Sequence, residues 1–126
     1  MFKKFVQITA LFNLPVALGI IISVLITPQA DTFIITVVLG ASFILMGAAL
    51  LWAASNIKAR ASIIVWNGLV RLVGFIAVTY ASSLGLAPDA FIYISLMDLV
   101  TAFVYIIGSM RVSKLPFKSL LLGKSQ

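Results

Sequence analysis

Two charged side chains lie where charge is hardest to accommodate. Arg71 stands inside the apolar run WNGLVRLVGF (66–75), and Asp98 inside IYISLMDLVTAFVYIIG (92–108). In such surroundings a guanidinium and a carboxylate can neutralise each other. They can also hold a polar ligand, and the carboxylate can carry a proton. Other chemistry is excluded by composition. The chain has no cysteine and no histidine. Disulfides, thiolate metal sites, imidazole bases, Ser/His hydrolysis and haem ligation by His or Cys therefore drop out. It has no glutamate, which separates it from the small multidrug exporters that use one in their first span. The tail LLGKSQ lacks the first glycine and the preceding strand of a phosphate-binding loop. No catalytic residue, metal site or resident cofactor is expected, although a lipid or quinone could bind.

The elements that must position Arg71 and Asp98 follow from composition. Of 126 residues, 63% are hydrophobic and 10% charged, and the mean hydropathy is +1.22. A soluble domain this small could not hide so much apolar surface. The chain reads as an all-α membrane protein with four spans, each near the ~20 residues a crossing requires. The expected spans are 5–26, 32–54, 61–82 and 90–109, within a single integral membrane domain covering 1–126. Thr27-Pro28, Ser55-Asn56 and Ser83-Leu84-Gly85 end the first three spans. Asp31-Thr32 and Asp89 are placed to cap the helices that follow. A signal peptide is the competing reading of the first segment. Its apolar core would be ~22 residues, too long for that role, and Pro28-Gln29-Ala30 is a poor cleavage site.

Charge gives the orientation. Lys3, Lys4, Lys58, Arg60, Arg111, Lys114, Lys118 and Lys124 all fall on one side of an up-down-up-down bundle. Asp31 and Asp89 fall on the other. The positive-inside rule then puts both termini in the cytoplasm of a bacterial plasma membrane. This accounts for the net charge of +6 without nucleic acid. Trp52, Trp66, Tyr80 and Tyr93 stand at the expected aromatic belts. The basic tail, 110–126, mixes lysines with Leu115, Phe117, Leu120, Leu121 and Leu122. It reads either as an interfacial segment on anionic lipid or as a solvated stop-transfer tail.

Within this frame Arg71 lies ten residues after Ala61, ~15 Å from the inner boundary, and Asp98 lies eleven before Ser109, ~16 Å from it. The two are expected to pair as a buried ion pair at the bundle centre. A lone charge there costs ~2.5–3.5 kcal/mol on insertion scales. Asn67 shares a helix face with Arg71. Asn13 lies at a similar depth in the first span, next to Pro15, which frees a carbonyl that needs a donor. Ser95, Thr101 and Tyr105 make a polar stripe with Asp98. Pro15, Ser95, Thr101, Tyr105 and Trp66 could line a ligand site, although Trp66 also reads as a belt anchor and Asn13-Leu14-Pro15 as a kink. Gly40 and Gly47, with Ala54, recur every seven residues, and Gly68 and Gly74 lie on the third span, as close-packing positions. The Arg71–Asp98 pair could serve only to fix helix register, or could form a functional site.

The stretches ALFNLPVALGIII (10–22) and FILMGAALLWAASNIKARASIIVWNGLVRLVGF (43–75) resemble small four-span bacterial membrane proteins of the BphX-like and DoxX-like type. The matching positions are Asn13, Pro15, Gly47, Trp52, Arg71 and Asp98. The sequence carries Arg71 where that pattern more often has lysine, a charge less easily switched off. The resemblance implies a four-helix bundle and, for some DoxX-type members, a subunit of a quinone-reducing assembly. Three functions are therefore carried forward. The first is an accessory or scaffold protein, not an enzyme on its own, working as a homo-oligomer or in a larger membrane complex. The second is a quinone- or lipid-binding subunit of a redox complex. The third is a small transporter or channel subunit with Asp98 as carrier.

Overall fold

The computed structural model describes residues 1–86, 88 and 90–124. The described residues are helical, with no strand among them. Five helices follow one another: α1 (Phe2–Ile26), α2 (Phe33–Ala54), α3 (Ile57–Ser83), α4 (Ala90–Ser113) and α5 (Phe117–Leu121). The first four are long and apolar enough to cross a membrane, so the protein is a multi-pass membrane protein. Most large apolar side chains on these helices point outward, among them Ile34, Leu45, Val73 and Met97. That is the surface a hydrocarbon solvent accepts and water does not. Trp52, Trp66, Tyr80 and Tyr93 are all exposed.

The chain divides into two compact units, Met1–Ser55 and Asn56–Gln126. In the first, α1 and α2 pack along a seam of small residues. A methyl group at Gly40 would stand 2.5 Å from Ile21 Cγ1, and one at Gly47 would stand 3.0 Å from the Ala10 carbonyl. Ala10 and Ala17, fully buried on α1, are seven residues apart, as are Gly40 and Gly47 on α2. Residue numbers fall along one helix as they rise along the other, so this hairpin is antiparallel. The repeat of seven keeps one face of each helix on its neighbour. α1 runs through Pro15 as one helix. Thr32 occupies the N-cap of α2 without a side-chain capping bond. The Gln29 carbonyl instead accepts from the N–H groups of Thr32 and Phe33, at 3.2 and 2.9 Å. The cap expected at Asp89 lies outside the described residues.

In the second unit α3 packs on α4, and α5 packs on both. The one break in α3 is at Arg60 (φ −124°, ψ 19°), so the regular helix begins at Ala61. α3 ends in a Schellman motif. Gly85, at φ 72°, occupies the left-handed position that glycine adopts without a Cβ penalty. The Leu86 N–H donates to the Ala81 carbonyl and the Gly85 N–H to the Ser82 carbonyl. α3 is the most enclosed of the four spans, with seven buried residues among those described, from Ile57 to Gly68.

Candidate functional site

The site is built on α3 and α4. Their separation is set at Gly68, where a Cβ would come within 3.2 Å of the Ala102 carbonyl and 3.4 Å of Tyr105 Cβ. This close approach brings Arg71, one turn further along α3, opposite Asp98 on α4. Arg71 Nη1 donates to Asp98 Oδ1 at 2.8 Å. Arg71 Nε donates to Asn67 Oδ1 at 3.0 Å, the i−4 neighbour on the same helix face. The guanidinium carbon lies 5.5 Å from the centroid of the Tyr105 ring, within cation–π range. Tyr105 is completely buried and Asn67 nearly so. The guanidinium is thus held by a carboxylate, an amide oxygen and an aromatic face.

One expectation needs correction. The pair forms, but it is not buried: the Arg71 side chain is 17% exposed and that of Asp98 41%. Hydrophobicity and helix rise give depth along the axis but not azimuth. Asp98 lies at the edge of the α3–α4 contact, while the buried line of α4 runs through Ser95, Ala102, Tyr105, Ser109 and Ser113.

Several other candidates have their hydroxyl or N–H donors already engaged. Ser95 Oγ donates to the Ile92 carbonyl at 2.9 Å, and Thr101 Oγ1 to the Met97 carbonyl at 2.8 Å. Both bonds stay within α4, the usual back-bonding of hydroxyl residues in helices. Trp66 Nε1 donates to the Leu121 carbonyl at 3.0 Å, so the indole anchors the tail. Asn13 and Pro15 belong to the first unit. There the Asn13 Cβ lies beside Gly47, and Pro15 lines an open groove of ≈ 780 Å³ with Gly19, Ser23, Thr32 and Thr36. No described atom approaches the Cβ position of Gly74, so the close packing expected there is not seen. Among the described residues no cluster of side chains could hold a metal ion.

No known protein family, curated protein or solved structure matches this chain. The functional reading therefore rests on its own residues.

The sequence reading missed two features. Ser109 Oγ is buried without a hydrogen-bond partner among the described residues. Its only sequence signal was its place on the stripe that also carries Ala102 and Tyr105. The other is the folded-back tail. Lys114 takes a left-handed conformation (φ 59°), the Leu115 N–H donates to Ser113 Oγ, and α5 returns against α3. Ser113 and Pro116 after a span signal a stop, but nothing in the sequence gives the direction of the turn.

Proposed function

We propose that the protein is a small scaffold or accessory subunit of the bacterial plasma membrane. In this reading it has four spans in up-down-up-down order, with both termini cytoplasmic. The Arg71–Asp98 pair is the clasp that fixes α3 against α4. The observation that carries the reading is the Arg71–Asp98 bridge from α3 to α4, beside which Asn67 and Tyr105 of the same two helices also hold the guanidinium. A guanidinium held this way is suited to setting register, a well-attested use of polar groups in helix packing. A double-mutant cycle with Arg71→Leu and Asp98→Leu, read by unfolding in detergent, tests it. A favourable coupling of about 1–3 kcal/mol is expected, and zero coupling refutes the clasp.

A second reading is favoured by the exposure of Asp98. An ionised carboxylate has about four acceptor sites, and this one is accessible at its outer edge. The hydroxyl of a quinol, the reduced form of a quinone, or of a lipid could donate to it, which fits the redox-complex subunit implied by the DoxX-like resemblance. Solvent extraction of the purified protein distinguishes the two readings. Quinone recovered from the parent and lost in Asp98→Asn supports the ligand site, whereas none from either leaves the clasp.

A further inference from the structure

The C-terminal segment folds back as a fixed element. α4 stops at Ser113, Lys114 turns the chain in the left-handed region, and α5 follows. Leu120 points inward and is 1% exposed. Trp66 Nε1 holds the Leu121 carbonyl, and Ser62 Oγ donates to the Lys124 carbonyl at 3.4 Å. A second Schellman motif closes α5: the Lys124 N–H donates to the Ser119 carbonyl, and the Gly123 N–H to that of Leu120. Gly123 has φ 82° and its Cβ position lies 3.5 Å from the Trp66 ring.

What this element exposes is a mixed stripe. Lys118, Leu121 and Leu122, spaced i, i+3 and i+4, all face outward, flanked by exposed Lys114 and Lys124. Arg111 is exposed as well, and no acid occurs between Asp98 and the end of the chain. The depth of the element decides its partner. Ser62 and Trp66 lie one and five residues into the regular part of α3, within ~8 Å of its start. The stripe therefore lies alongside the first turns of a span, level with lipid headgroups, and does not project away from them.

We infer that α5 and its flanks form a docking platform for anionic phospholipid headgroups. Lys114, Lys118 and Lys124 meet the phosphates, and Leu121 and Leu122 enter the acyl boundary. Nucleic acid fits less well, because the patch is centred on exposed leucines and lies level with the first turns of a span. The inference depends on α3 and α4 being spans, and not on the role of Arg71 and Asp98.

Native mass spectrometry of the full chain, released from detergent with added phosphatidylglycerol or phosphatidylcholine, tests the platform. Phosphatidylglycerol should be retained well above phosphatidylcholine. Retention should fall about fivefold for each lysine removed in Lys114→Gln, Lys118→Gln and Lys124→Gln. Trp66→Phe keeps every charge but loses the indole N–H, and should lower phosphatidylglycerol retention at unchanged helicity. Equal retention of the two lipids, an unaffected triple glutamine variant or an unaffected Trp66→Phe variant overturns the proposal. So does tighter binding of a single-stranded oligonucleotide through the same lysines.

Discussion

Replacing Asp98 with leucine leaves a guanidinium among apolar side chains with one fewer partner. We expect Asp98→Leu to lower stability in detergent by about 1–3 kcal/mol, the usual cost of an unsatisfied polar group. The double variant Arg71→Leu/Asp98→Leu should stand closer to the parent, because no charge is then orphaned. Thermal unfolding followed by circular dichroism orders the three proteins. The opposite logic applies at Ser109, whose hydroxyl is buried without a partner among the described residues. Ser109→Ala removes a desolvated polar group at little cost in packing, so it should raise the melting temperature. A drop would mean that the hydroxyl has a partner in the membrane-embedded protein.

The helix pairs are held by small residues whose tolerance depends on what faces them. At Gly47 an added methyl group meets the Ala10 carbonyl at 3.0 Å and Asn13 Cβ at 3.2 Å, so the helices must move apart. At Gly40 the methyl group meets Ile21 Cγ1 at 2.5 Å and the Ala17 carbonyl at 3.3 Å, and the χ1 of a helical isoleucine is stiff, so something must shift there as well. Gly47→Ala and Gly40→Ala should therefore each destabilise by about 1–3 kcal/mol. Gly19→Ala, with nothing within 4 Å, should gain up to about 1 kcal/mol of helix propensity. Melting curves of the three variants test this ranking. It was only half legible in advance. The spacing of Gly40, Gly47 and Ala54 announced a seam, but the matching Ala10 and Ala17 were inconspicuous in a helix where alanine is unremarkable. Gly74 looked equivalent to Gly68 but has no close neighbour among the described residues of its own unit, because glycine in a span records only that closeness is allowed.

For the whole chain, loop charge predicts the cytoplasm for both termini. Paired fluorescent-protein and alkaline-phosphatase fusions at the C-terminus should show cytoplasmic fluorescence and no phosphatase activity. Span number and helix ends were readable because the bilayer imposes one length on every crossing, and because Gly85 and Ser55-Asn56 interrupt apolar runs. The level of Arg71 and Asp98 was readable from helix rise alone. The exposure of Asp98 was not, since azimuth depends on which residues make the closest contact, here Gly68 with Ala102. The returning tail was not legible either, because it depends on a left-handed lysine that no local rule favours. That tail has a mechanical consequence. Trp66 grips α5, and Arg71, five residues on, grips α4, so α3 is pinned at two bearings about 140° apart around its axis. A spin of α3 in either direction pulls at least one anchor away from its mate. Sliding along the axis strains the same two bonds, so any working stroke must carry α3, α4 and α5 together as one body.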